Sequence, residues 1–289
     1  MNDDDVLSIG NSGAATVKPQ YDRFYIMYCQ MCNMAKCTAC GAGNILLGLA
    51  ILFGLWWLGI FLVTLDPSNS FFESFGVIKA FESLPALWAR GTIPDALINS
   101  GYRLGMGMLF AIAIGVPIGI VMGRIAWFQK MTNVPFQFMR MISPLSWEPI
   151  AVVVFMQWND AVIFLIAIAA VWPVMFSTAA GLQKVDPNWF KVAKNLGAGP
   201  VHILKTIILP AIAFDIFTGI RLALGVAWIV IIPAEFLGVT SGFGYAIQDA
   251  REGMNYPNLM GIILVIGVVG YILDSILVML IKQFAWNKK

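Results

Sequence analysis

The sequence predicts an all-α protein that crosses a membrane about six times. Three observations carry this. Of its 289 residues 59% are hydrophobic and only 12% are charged, against roughly 25% charge in soluble domains. Mean hydropathy is +0.80. The apolar residues gather into runs of about 20, the length that crosses a bilayer as a helix. The net charge of +2 says little about partners, and nothing in the chain points to nucleic acid.

Taken in order, the chain opens with MNDDDVLSIG, an acidic start without the basic and apolar regions of a signal peptide. Residues 1–42 read as a cytoplasmic arm that holds all the cysteines. The first span is expected at 43–65. The segment that follows, to residue 95, is mixed in character. Its Phe75, Ile78, Phe81, Leu84 and Trp88 suit a helix lying along the membrane interface. Residues 96–289 form the core, with spans expected at 97–122, 135–157, 161–182, 211–237 and 258–281. Pro144 and Pro149 interrupt the third span, which also holds Arg140 and Glu148. Gly101 and Gly105, and then Gly115, Gly119 and Gly123, are spaced four residues apart on or beside the second span, as close helix packing in lipid requires. Pro117, Pro173 and Pro233 lie mid-span. Each frees a backbone carbonyl, so breaks facing a bundle interior are expected there.

Basic residues in the connections set the orientation. Lys18, Arg23, Lys36, Arg124, Lys130, Lys184, Lys191, Lys194, Lys205, Lys282, Lys288 and Lys289 fall on one side. Lys79, Arg90 and Arg251 fall on the other. Both termini are therefore expected in the cytoplasm, which an even number of spans satisfies.

Residues 183–210 form the one long polar interval of the second half. Asp186 can cap a helix whose first turn holds Pro187. Trp189, Val192, Ala193 and Leu196 recur at helical spacing, and Gly197 fits a left-handed stop. Pro200 opens a second short helix, and Pro210 marks the start of the next span. The expectation is a basic helix–turn–helix held between two spans on the cytoplasmic side.

No Gly-x4-Gly-Lys-Ser/Thr loop occurs, so nucleotide is not bound in that way. GFGY (Gly242 to Tyr245) and LGAG (Leu196 to Gly199) follow no strand and read as turns. His202 has no acidic or cysteine neighbour and reads as a surface or docking contact. No nucleophile–base pair is apparent, so catalytic residues are not expected. Charges inside spans mark function by default. They are Glu148 in the third, Asp215, Arg221 and Glu235 in the fifth and Asp274 in the sixth. Plain structural roles also account for them. Asp215 can sit at the interface, Arg221 can pair with Asp274, Glu235 can cap the following turn, and Glu148 can pair with Arg140.

Cys29, Cys32, Cys37 and Cys40 form two Cys-x2-Cys pairs four residues apart. One tetrathiolate site is conceivable. Zinc is the default, an iron–sulfur cluster is an alternative, and nearby Met27, Met31 and Met34 admit copper(I). Four reduced thiols on an arm account for them equally. A second class of function, a membrane-anchored redox or metal-handling protein, would centre on this cluster.

Gly197 followed after nine residues by Ile207-x-Leu209-Pro210 resembles the cytoplasmic coupling motif of ABC importer permeases. The Glu-Ala-Ala that opens that motif falls on Lys191, Val192 and Ala193, so the acid and first alanine are absent. Residues 140–280 are similar to the permease subunits of the nitrate, sulfonate, taurine and bicarbonate branch. The matching stretches are SPLSWEPIAVVVF, VWPVMFSTAAGLQ, LGAGPVHILKTIILPA, IFTGIRLALGVAWIVIIPAEFLG, SGFGYAI and VIGVVGYILDSILV. The resemblance implies a type I (MetI-like) importer fold in a bacterial inner membrane, with no cofactor needed for transport. The partners implied are two ATP-binding subunits, a second and identical permease chain, and an extracytoplasmic substrate-binding protein. Docking to the ATPases would fall to Asp186, Trp189, Phe190, Lys191, Lys194, Gly197 and Pro210. The pathway would be lined by Trp147, Glu148, Arg221, Trp228 and Glu235. A small oxyanion is the solute the resemblance implies. Glu148 replaces an apolar residue of the family pattern, and a buried carboxylate there would repel an anion unless paired or protonated. That tilts the expectation towards a zwitterionic or cationic solute, an aminosulfonate or a heterocyclic vitamin precursor.

Overall fold

A computed structural model of the chain describes residues 34–286 apart from residue 237. Side chains of 34–42, 67–68 and 283–286 are outside the description. Two units emerge, Met1–Leu62 and Val63–Lys289. Among the described residues the first holds helix α1 (Met34–Thr64). Over Gly43–Thr64, where its side chains are described, it is apolar on every side, with no buried residue in its most apolar window. A helix apolar all round belongs in lipid or in a large core. Phe53 stacks on Trp56 and Trp57 on Phe61 along its surface, 6.3 and 5.3 Å between ring centroids.

The second unit begins with a 3-10 segment, Pro67–Phe75, and α2 (Val77–Ala89). Phe71 and Phe75 close an aromatic knot on Tyr256, at 4.8 and 4.7 Å. Helix α2 has two apolar faces. Ala80, Ser83 and Leu87 are buried where Gly261 comes close to Ser83 and the Ala80 carbonyl. Ile78, Phe81 and Trp88 are exposed, as an interfacial helix requires, whereas Phe75 belongs to the knot before the helix.

The core then runs α3 (Thr92–Arg124), α4 (Ala126–Met141), a 3-10 turn (Pro144–Trp147), α5 (Glu148–Val154), α6 (Trp158–Gln183) and α7 (Pro187–Asn195). After these come α8 (Pro200–Ala234), α9 (Phe243–Glu252) and α10 (Tyr256–Trp286). No strand occurs among the described residues. Helix α6 is the central post, with 56% of its apolar window buried against 33% for α3 and 28% for α8. Lipid removes the hydrophobic drive for helices to associate, so close packing must supply it. Leu165, Ile166, Ala170 and Val174 of α6 meet Leu104, Met108 and Ala111 of α3 and Ala223, Ala227 and Ile231 of α8. Glycine permits the approach on the α3 side. A methyl at Gly119 would sit 2.6 Å from the Met175 carbonyl, and one at Gly123 2.9 Å from that of Ala179. Gly115 and Gly107 are crowded by the same helix, but Gly101 and Gly105 have nothing within 4 Å and line an apolar groove instead.

Two expectations change. Residues 135–157 do not form one span. Pro144 lacks the N–H a continuing helix would use, and Pro149 starts the next short helix, so the stretch is α4, a 3-10 turn and α5. Helices α3, α6 and α8 run through Pro117, Pro173 and Pro233 without interruption. The proline that reshapes its helix is Pro210. A π turn over Leu204–Ile208 precedes it, with the Leu209 N–H bonded to the Leu204 carbonyl.

Candidate functional site

The α7–α8 hairpin forms one end of the core. Asp186 Oδ1 accepts the Asn188 N–H at 2.9 Å, capping α7 behind Pro187. At its other end Gly197 adopts φ +78°. The Gly197 N–H bonds the Lys194 carbonyl and the Ala198 N–H bonds the Ala193 carbonyl, both at 3.0 Å. This is a Schellman closure, and the left-handed residue it needs is the reason for glycine. Phe190 and Ala193 are buried, and Phe190 packs with Leu182, Ile208 and Ile212. The Arg124 guanidinium lies 4.0 Å above the Phe190 ring, a cation–π contact that pins the hairpin to the end of α3. Lys184 pairs with Asp215 at 2.7 Å, which holds Asp215 at this end.

The other face of the hairpin is bare. Trp189, Val192, Leu196 and Val201 are 57%, 57%, 81% and 64% exposed, with Lys191 and Lys194 exposed beside them. Such a run of exposed apolar side chains rimmed by charge marks a surface that meets protein or membrane. Of the residues expected to dock, Phe190 is turned inward and anchors the hairpin. Pro210 lies beyond the π turn within α8.

The far end of the core holds a buried charge cluster. Arg103, on α3, is 2% exposed and Glu235, closing α8, is 0% exposed. Arg103 Nη1 donates to Glu235 Oε1 at 2.7 Å. Ser100 Oγ donates to the same carboxylate, at 2.8 Å to Oε1. The Gly244 N–H donates to Oε2 at 2.9 Å, so Glu235 caps α9. Ser100 Oγ in turn accepts the Phe243 N–H at 2.9 Å. Gly242 stands at φ +112°, and a methyl there would lie 2.5 Å from the carboxylate. The GFG of the turn is therefore what lets backbone wrap a carboxylate. Arg103 Nε donates to Asn159 Oδ1 at the start of α6, and its Nη atoms donate to the Ser241 carbonyl and hydroxyl. One guanidinium thus ties α3, α6, α8 and the loop before α9. Beside it, Gln157, Trp158, Asn159 and Gly238 to Ser241 line a polar cavity of 220 Å³.

Within the spans, Arg221 of α8 and Asp274 of α10 form a two-pronged pair, Nε to Oδ1 at 2.7 Å and Nη2 to Oδ2 at 2.8 Å. The two side chains remain 45% and 46% exposed. Half-exposed charge inside a span is costly against lipid, and pairing lowers that cost. Trp228 stands edge-on to Phe243 at 6.1 Å and presses on Gly270. Trp147 packs against the central core. Glu148 is half-buried and has no ion-pair partner among the described residues. The pairing expected from Arg140 does not form, because Arg140 lies over the Phe176 ring, 5.3 Å from its centroid. Glu235 is enclosed on all sides and does not share an open surface with Arg221 or Glu148.

Arg103 is the residue that sequence reasoning missed. It lies inside the second expected span, and the rule that singled out Glu148 and Arg221 applies to it equally. Cys29 and Cys32 lie outside the described residues, and the side chains of Cys37 and Cys40 are also undescribed. Among the described residues no three His, Cys, Asp or Glu side chains gather as a metal site.

The family of binding-protein-dependent transport system inner membrane components matches residues 115–285. The bicarbonate transport system permease protein CmpB of Synechococcus elongatus is 38% identical over 61% of this chain and 64% of that protein. The matched stretch thus spans less than two thirds of that relative. The nitrate import permease protein NrtB of Leptolyngbya laminosa is 33% identical over 60% of this chain and 62% of its own. The taurine transport system permease protein TauC of Escherichia coli is 29% identical over 78% and 82%. Among solved structures, an inward-facing MetNI methionine ABC transporter chain superposes with a TM-score of 0.58 at 13% identity. It covers 69% of this chain and 98% of that one, a likeness of fold.

Proposed function

Because the chain belongs to the binding-protein-dependent transport system inner membrane component family, we propose that it is the permease subunit of an ATP-driven importer. Its partners are two separate ATP-binding subunits, a second copy of itself, and an extracytoplasmic solute receptor. It is not itself an enzyme. The arm 1–42, the span and interfacial segment 43–95 and the core 96–289 lie with both termini and the hairpin in the cytoplasm. The one observation that carries this reading is the hairpin. It is capped at both ends, anchored inward by Phe190 and presents Trp189, Val192, Leu196 and Val201 outward. A rigid, amphipathic element joined to two spans passes movement of a docked ATPase to them. Asp186 and Gly197 shape it, and Lys191 and Lys194 rim the contact. Reconstitution with its partner ATPase and receptor should give ATP-dependent solute accumulation in vesicles. Uptake independent of ATP, or no ATPase co-purifying, would refute the assignment.

The solute is a small oxyanion or an aminosulfonate, the chemistry that the names of the relatives share. Trp147, Glu148, Arg221 and Trp228 border the path. Glu148 repels an anion and attracts an ammonium group. Glu148→Gln should therefore raise uptake of nitrate relative to taurine on the order of tenfold, the scale of one unscreened charge at several ångströms. A ratio unmoved by the substitution removes Glu148 from the path. Neither the fold nor the relatives favour a redox or metal function centred on Cys29, Cys32, Cys37 and Cys40.

A further inference from the structure

A guanidinium carries five N–H donors. Arg103 directs four of them to Asn159 Oδ1, Glu235 Oε1, the Ser241 carbonyl and Ser241 Oγ, at 2.9, 2.7, 2.7 and 2.9 Å. The fifth, on Nη2, has no acceptor among the described residues. Arg103 also walls the 220 Å³ cavity at the far end of the core.

The cavity offers donors. Asn159 spends its carbonyl oxygen on Arg103, which leaves its amide hydrogens. Ser241 Oγ accepts from Arg103, which leaves its own O–H. Thr240 adds a hydroxyl and Gln157 an amide at the exposed lip. No carboxylate lines it. Glu235 is enclosed and bonded to Ser100, Arg103 and Gly244. The wall is preformed, because Gly238 at φ +128° lies so close to the Trp158 ring that a methyl would come within 2.6 Å of it. A rigid cavity of donors, with its one cation balanced from behind, would hold a singly charged oxyanion by directed hydrogen bonds. It would hold it weakly enough to release it.

We propose that this cavity is a receiving subsite for small oxyanions, a nitrate, a bicarbonate or a sulfonate head, at the mouth opposite the hairpin. The assignment of a route through the membrane rests on the permease reading, but the anion preference of the cavity does not. Two experiments separate them. In full-length chain with Cys29, Cys32, Cys37 and Cys40 replaced by serine, Thr240→Cys should react faster with an anionic methanethiosulfonate than with a cationic one. The comparison is the same pair of rates at a solvent-exposed reference cysteine, Met254→Cys, a position 75% exposed. Millimolar nitrate or bicarbonate should slow the anionic reaction. Equal or cation-favouring rates, or no protection, overturn the subsite even if the importer works. In the reconstituted complex at subsaturating solute, Gln157→Glu should lower uptake about tenfold and Gln157→Lys should raise it. Receptor-stimulated ATP hydrolysis should stay unchanged in both. Equal losses in the two variants, or loss of stimulation, would make this a receptor contact and overturn the subsite. Anion-selective labelling without ATP-dependent uptake by the unaltered chain would leave the subsite standing and fell the permease reading.

Discussion

Arg103→Leu should destabilise the core by about 3–5 kcal/mol, the cost of leaving a buried charge unpaired. Glu235 would keep Ser100 and the Gly244 N–H but lose the one cation that pairs with it among the described residues. Asn159 and the Ser241 carbonyl would lose their donor together. Domains are stable by only about 5–15 kcal/mol, so the variant should accumulate poorly and melt well below the unaltered chain in detergent. Removing both charges should do less harm. In Arg103→Leu/Glu235→Leu no unpaired ion remains, and some buried pairs have been replaced by apolar residues without loss. The double variant should melt above Arg103→Leu alone. A single variant as stable as the original chain would show that the cluster does not hold α3, α6 and α8 together.

The second large effect is on transport with the fold intact. Trp189→Glu combined with Leu196→Glu alters side chains that touch little within the chain, at 57% and 81% exposure. The melting temperature should not move. ATP-driven uptake should fall by about a hundredfold or more, because charge would enter the apolar centre of a contact whose anchors are each worth about 2 kcal/mol or more. Co-purification of the ATPase should weaken in parallel. Lys194→Ala, at the rim, should cost little by the same logic. Uptake within twofold of the unaltered chain would mean that the ATPase docks elsewhere.

The hairpin was legible because its determinants are local. Asp186 before Pro187, and Gly197 closing a Schellman turn, act over a few residues. Which face turns outward was not legible. Trp189, Phe190, Val192 and Ala193 share one apolar pattern, and only the position of Arg124 and Ile208 makes Phe190 and Ala193 the inward pair. The pairing of Arg221 with Asp274 was foreseeable from two lone opposite charges in adjacent spans. That of Glu148 with Arg140 was equally reasonable on paper and does not occur, because the Phe176 ring takes the guanidinium.

By itself the amino-acid order determined the class of fold, the place of five of the six expected spans, the hairpin and its caps. Those follow from bilayer thickness, backbone hydrogen bonding and the particular geometry of proline and glycine. Only the tertiary structure decided which charges meet. Arg103 and Glu235 stand 132 positions apart on helices that are apolar on nearly every side, so periodicity gives neither helix a preferred rotation or depth. Packing against α6 sets both, through Gly119 and Gly123 on one flank and Ala223 and Ala227 on the other. Once the rotations are set, a buried arginine has one carboxylate to find.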